Sequence, residues 1–237
     1  MIDIAVAFDV DTLEQALELD RALGEGPEYA KIGLQLFSAA GPDAVRALLA
    51  RGRRVFLDLK LHDIPNTVRG AAVAASKLGA DLLTVHALGG PDMIRAAVEG
   101  VTRGGAGTRV VAVTLLTSHD PERLPPGFAR PFALHAMAAE QLDMAERAGA
   151  AGIVCSAVDL SGIRAHHPLP FFAVTPGIRP ASAVRDDQQR VTTVSEAVRL
   201  GASLVVLGRA VTTAPDPAAA LAEARAEVRN VAPAVRP

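Results

Sequence analysis

Within six residues, Asp58-Leu59-Lys60-Leu61-His62-Asp63, the chain carries a carboxylate, an ammonium and a second carboxylate. Side chains two apart on a strand leave the same face, so Asp58 and Lys60 are expected to point into one site. Alternating charges packed together hold one another ionised and oriented. A fixed ammonium there suits both stabilisation of negative charge and donation of a proton; arginine, with its very high pKa, donates poorly. The alternative for an Asp-x-Lys pair is a structural ion pair. Lysine scarcity favours chemistry: of 24 basic residues only Lys31, Lys60 and Lys77 are lysine, leaving 21 arginines. A chain that carries its surface charge on arginine keeps lysine where the ammonium itself is needed.

A second set of residues suits an anion. Thr175-Pro176-Gly177-Ile178-Arg179-Pro180 is followed by the polar stretch Asp186-Asp187-Gln188-Gln189-Arg190 and then by Leu207-Gly208-Arg209-Ala210. Gly208 lets a backbone approach an anion closely, and Arg179 and Arg209 offer bidentate donors. Surface arginines in loops are the competing explanation. His86 is read as a hydrogen-bonded wall residue, with no second His or Cys at metal-ligand spacing. His166 and His167 are read as solvated residues of a loop before Pro168, Cys155 as a small core residue, and Lys77 as a surface residue.

The elements that must position these groups follow from hydrophobic periodicity. Eight short runs rich in β-branched residues, at 2–8, 29–34, 54–59, 82–86, 109–115, 152–155, 171–174 and 204–207, read as buried parallel strands. Segments with apolar residues at three- and four-residue spacing, at 12–23, 42–50, 68–78, 91–103, 131–148 and 194–200, read as amphipathic helices. Eight strand–helix units predict an α/β fold, a closed (β/α)8 or TIM barrel, as one domain over residues 1–237 with 231–237 a frayed tail. The runner-up is an open Rossmann-like sheet, but Phe8-Asp9-Val10-Asp11 stands where its glycine-rich turn would be. In a barrel the functional groups sit at the carboxyl ends of the strands, and phosphate binds after the last two strands. Both sets of residues fall there.

The 237 residues carry a formal net charge of −2, no Trp and eight aromatic residues, which argues against nucleic-acid and anionic-membrane partners. No apolar run approaches the length of a membrane span. The start, Met1-Ile2-Asp3-Ile4, predicts no signal peptide, and a single cysteine fits a reducing cytoplasm.

The run Phe56-Leu57-Asp58-Leu59-Lys60-Leu61-His62-Asp63-Ile64-Pro65-Asn66-Thr67 resembles the D-x-K-x-x-D-I-P-N-T signature of the orotidine 5′-phosphate decarboxylase family. The likeness extends to Asp9, Ala30-Lys31-Ile32-Gly33, Val85-His86, Leu116-Thr117-Ser118, Pro176-Gly177-Ile178-Arg179-Pro180, Asp187-Gln188-Gln189-Arg190 and Gly208-Arg209. Leu88 and Asp186 depart from the pattern beside the site. The resemblance implies conversion of orotidine 5′-monophosphate to UMP and CO2, the last step of UMP biosynthesis, with no metal or organic cofactor. Lys60 would stabilise charge developing at pyrimidine C6 and then protonate it. Asp58 would lie against the departing carboxylate, and Lys31 would hold the array and reach the ribose. Asp63 and Thr67, with Ile64 beside them, would cross a homodimer interface into the neighbouring site. Asp9 would bind ribose hydroxyls and Thr117 the pyrimidine edge; Gln188, Arg179, Gly208 and Arg209 would bind phosphate.

Two other readings use the same barrel. A metal-dependent decarboxylase or aldolase acting on a keto-sugar phosphate shares D-x-K-x-x-D, but carries a carboxylate at the position of Lys31, where an ammonium would repel Mg2+. A barrel that binds a phosphorylated ligand without turnover would not require the whole Lys31-Asp58-Lys60-Asp63 array.

Overall fold

The computed structural model describes residues 2–114, 116, 134–168, 171–180 and 192–231. In chain order the elements are β1 (Asp3–Ala7), α1 (Leu13–Ala22), β2 (Tyr29–Ile32), α2 (Leu34–Ala40), α3 (Pro42–Ala50), β3 (Arg54–Leu61), α4 (Pro65–Lys77), β4 (Leu82–His86), a 3-10 turn (Ala87–Gly89), α5 (Gly90–Gly104) and β5 (Arg109–Val113). There follow α6 (Leu134–Arg147), β6 (Gly152–Val154), α7 (Ala157–His166), β7 (Phe172–Arg179), β8 (Thr192–Thr193), α8 (Val194–Arg199), β9 (Leu204–Leu207), α9 (Arg209–Thr212) and α10 (Pro217–Asn230). The strands pair in parallel in the order β6-β5-β4-β3-β2-β1-β9-β7, and β6 pairs with β7 to close the ring. This is the expected (β/α)8 barrel.

The alternation of each strand sorts its side chains. Ala5, Ala7, Tyr29, Phe56, Leu82, Val111, Val174, Leu204 and Val206 fill the interior, while residues such as Ile4, Val6, Val55, Leu57, Leu83 and Val205 pack against the helices. The lower end of the barrel is stopped by stacked side chains. The guanidinium of Arg54 lies 4.1 Å from the centre of the Tyr29 ring, and that of Arg109 lies 4.4 Å from the Phe172 ring. Arg109 also donates to the Tyr29 hydroxyl at 3.0 Å, and burial pushes that phenol's pKa up.

Helix starts follow local chemistry. Thr12 caps α1 in a reciprocal capping box with Gln15, and Thr193 does the same for α8 with Glu196. The two hydrogen bonds from Thr193 hold the Glu196 carboxyl below its usual pKa.

Several expected boundaries move. The second strand stops at Ile32 because Gly33 caps α2, so Leu34 is helical. The third strand runs on to Leu61 instead of stopping at residue 59. A two-residue strand, β8, adds to the end of β7 outside the ring. The fifth strand ends at Val113; residues 115, 131–133 and 232–237, on which a strand end, a helix start and the tail were expected, lie outside the described residues. No helix among the described residues is long and apolar enough to cross a membrane.

Candidate active site

Four of the expected residues form one line of alternating charge at the carboxyl ends of β1, β2 and β3. Lys31 Nζ lies 3.1 Å from Asp9 Oδ1 and 3.6 Å from Asp58 Oδ2. Lys60 Nζ donates to both oxygens of Asp58, each at 2.8 Å. Lys31 and Asp58 are only 9% exposed, so each is shielded from water and depends on its partner. Asp9, with 53% of its side chain exposed, carries the line out to the barrel mouth.

Asp58 and Lys60 converge as the spacing predicts, but not by simple alternation. Leu57 pairs with Leu83 and Leu61 with Val85, so Asp58, Leu59 and Lys60 stand opposite the single residue Thr84. This bulge is accompanied by a left-handed backbone at Lys60, φ 48°, the one non-glycine with positive φ among the described residues. A lysine there costs about 1–2 kcal/mol, a local strain of the kind that active sites retain.

Gly33 stands against the array. Its φ of −91° suits any residue, but a Cβ would lie 3.0 Å from Asp9 Oδ1 and 3.1 Å from Lys31 Nζ. A side chain at this position would have to displace one of these two groups by a few tenths of an ångström.

A cavity of about 350 Å³ opens above the line. Asp9, Lys31, Asp58 and Lys60 line it from the ends of β1, β2 and β3, and Arg179, Gly208 and Arg209 line it from the ends of β7 and β9. Arg179 ends β7, after a register shift between Thr175 and Ile178 in which Gly177 takes φ 74°. Gly208 precedes α9, and among the described residues, its two chain neighbours aside, nothing comes within 4 Å of a Cβ built on it. The two expected clusters thus face one chamber of ligand size.

Residues 3–224 match the model of the Orotidine 5'-phosphate decarboxylase / HUMPS family. The chain belongs to that family. It is 50% identical over 218 residues to the orotidine 5'-phosphate decarboxylase of Anaeromyxobacter sp. (strain K), covering 92% of this chain and 94% of the relative. It is 45% identical over 215 residues to that of Cutibacterium acnes, covering 91% of each. Among solved structures, orotidine 5'-phosphate decarboxylase from Lactobacillus acidophilus is similar with a TM-score of 0.85 and 37% identity, over 96% of this chain and 99% of that one.

Within this decarboxylase-family barrel, the other expected residues divide. Asp63, Ile64 and Thr67 are exposed on the loop and first turn after β3. Asp63 Oδ1 accepts the Ile64 N–H at 2.6 Å, and among the described residues no cation pairs with Asp63. Thr117 and Gln188 lie outside the described residues, as do Ser118, Asp186, Asp187, Gln189 and Arg190. His86 lies at the end of β4 with its ring 5.6 Å from that of His62. Cys155 is buried beside the cavity, and burial pushes its thiol pKa up to about 12, so it is the inert small residue expected. Lys77 is exposed at the end of α4.

One expectation is corrected. His166 is exposed but closes α7 rather than lying in a loop, and His167 is not solvated: its ring nitrogens lie 2.6 Å from Asp143 and 2.8 Å from Glu146, because α7 packs on α6 and brings their carboxylates to it. One residue was missed. Thr84, fully buried, accepts the Lys60 N–H at 2.8 Å and donates to Asp58 Oδ1 at 3.0 Å. Alternation along β4 places residue 84 on the same interior face as Leu82, but only the pairing with β3 gives it these partners.

Proposed function

We propose that this protein converts orotidine 5′-monophosphate to UMP and CO2, closing UMP biosynthesis, and that the charged line and the facing arginines divide the work. The observation that carries this reading is the continuous sequence Asp9, Lys31, Asp58, Lys60 lining a chamber that Arg179 and Arg209 also line.

Loss of CO2 leaves the bonding electron pair on pyrimidine C6, in an orbital that no adjacent carbonyl can delocalise. The barrier must then fall through charge fixed in advance and shielded from water. The Lys60 ammonium, held by two hydrogen bonds to Asp58, meets that need, and its proton then passes to C6 to complete UMP. Solvent restores the ammonium. Asp58 lies where the substrate carboxylate departs, and Lys31 keeps Asp58 and Asp9 in place while reaching the ribose hydroxyls with Asp9.

Arg179, Arg209 and the backbone at Gly208 take the phosphate, with Gln188 contributing to the same group and Thr117 reading the pyrimidine edge. Among the described residues nothing crowds a Cβ at Gly208, and close approach of a ligand to the backbone accounts for glycine there. Phosphate lies far from C6, and its binding energy is available to raise the rate of the chemical step.

Lys31 also bears on the cofactor question. Its ammonium lies between Asp9 and Asp58, where a divalent cation would otherwise bridge two carboxylates. The residues therefore suit a reaction without metal. The enzyme acts as a homodimer. Leu34, Ile64 and Leu88, 58%, 67% and 41% exposed, follow the neighbouring strands β2, β3 and β4 and give an apolar face beside Asp63 and Thr67. Through it Asp63 and Thr67 reach the other subunit's site. The lone cysteine supports a cytoplasmic setting.

The decisive experiment follows the pyrimidine absorbance of orotidine 5′-monophosphate mixed with purified protein, with and without EDTA. Turnover unchanged by EDTA is expected. No absorbance change at high enzyme concentration sinks the assignment, and loss of activity in EDTA favours metal-dependent chemistry on a keto-sugar phosphate.

A further inference from the structure

We propose that Thr84 is a positioning residue of the charged site, its hydroxyl tying the Asp58 carboxylate to the left-handed backbone of Lys60. The proposal rests on the decarboxylase reading for its assay and on the β3–β4 bulge for its argument.

Three residues of β3 stand against Thr84 alone on β4. A regular parallel ladder would give the Lys60 N–H a backbone carbonyl on the neighbouring strand. Here it goes to Thr84 Oγ1 at 2.8 Å. A hydroxyl has one proton, and with the N–H of Lys60 donated into its oxygen that proton goes to Asp58 Oδ1, 3.0 Å away. Thr84 is 0% exposed, so no solvent molecule substitutes for either bond without rearrangement.

The consequence for Lys60 is that both ends of the residue are referred to the same atom. Its backbone is fixed by Thr84 Oγ1; its ammonium is fixed by Asp58, whose Oδ1 is fixed by Thr84 in turn. Thr84 therefore sets where the ammonium stands without touching substrate. The charged groups around Asp58 are Lys60 at 2.8 Å and Lys31 at 3.6 Å, with Asp9 beyond Lys31. They fix its charge but not its distance from the Lys60 main chain. Threonine also supplies the β-branched shape that strand β4 favours, which separates the hydroxyl's contribution from the packing of the side chain.

The test compares kcat and KM for orotidine 5′-monophosphate in the full-length wild-type protein and in Thr84→Val and Thr84→Ser. Displacement of a reacting group by as little as 1 Å costs about 100-fold. The expected result is a fall of about 100-fold in kcat for Thr84→Val with KM changed less than about threefold, and kcat within about threefold of wild type for Thr84→Ser. A Thr84→Val kcat within threefold of wild type, a loss carried by KM, or a serine variant as slow as the valine variant overturns the proposal. Should Thr84→Val not fold, Thr84→Ala takes its place under the same criteria. If neither folds while Thr84→Ser is fully active, the hydroxyl belongs to the fold and the proposal fails. An inactive wild type would count against the decarboxylase reading, whereas an active wild type with unaffected variants counts only against Thr84.

Discussion

A Cβ added to Gly33 would lie 3.1 Å from the Lys31 ammonium, two residues earlier in the chain. The sharp exit from β2 into α2 folds Gly33 back over the charged side chain that the strand has just delivered. For Gly33→Ala the backbone is not strained, so the fold and its thermal midpoint should change little. The methyl must displace Lys31 or Asp9 by a few tenths of an ångström, and kcat/KM should fall about tenfold. Steady-state kinetics beside a thermal melt checks this; an unaffected kcat/KM would mean that the array tolerates the shift.

Lys60→Ala should keep the fold and bind UMP, because Lys31 still neutralises Asp58, while turnover falls by several orders of magnitude. A loss below about tenfold, or 1.4 kcal/mol of barrier, would remove Lys60 from the role of proton donor. Lys60→Arg should fare no better than alanine in the chemical step, since guanidinium does not release a proton usefully.

Arg209→Ala should weaken turnover of the phosphorylated substrate by about 100-fold or more, consistent with loss of a charge-assisted bidentate contact, and should add little loss with the bare nucleoside orotidine. Equal losses on both substrates would place Arg209 away from the phosphate.

Mixing two inactive variants tests the shared site. If Asp63 crosses the interface of a homodimer as proposed, Lys60→Ala and Asp63→Ala each disable both sites of their own dimer, but a hybrid dimer assembles one intact site from the Lys60 of one chain and the Asp63 of the other. About a quarter of wild-type activity is expected after subunit exchange at equal concentrations, since half the dimers are hybrid and each holds one intact site. No recovery, with exchange verified by labelled subunits, would confine Asp63 to its own chain.

Cys155 gives a pH signature. Its thiol ionises near 9.0 when unfolded and is pushed up to about 12 by burial in the folded chain. The folded state therefore holds the proton more tightly. The stability this group contributes is complete below pH 9 and is lost as pH rises from 9 toward 12, at up to about 1.4 kcal/mol per pH unit. Urea melts at pH 8 and pH 10 should show Cys155→Ala gaining on wild type by about that amount, and the native thiol should resist alkylation at pH 8.

The barrel and the charged run were legible because their signals are local. Strand alternation and strand-end position point to Lys31, Asp58 and Lys60 without knowledge of neighbours, and lysine scarcity singles out two of the three. What depends on pairing between strands was not legible. The bulge that sets three residues of β3 against Thr84 leaves no periodic trace in β3, and Thr84 gains its role only from what it faces. The same limit applies to His167, whose setting comes from Asp143 and Glu146 on a different helix.

The backbone of Lys60 has one more consequence. At φ 48° the local conformation favours glycine, yet the proposed chemistry requires an ammonium on that same residue. Selection for a more robust fold and selection for turnover thus pull position 60 in opposite directions. Stabilising substitutions in this protein are therefore to be sought away from the β3 rim.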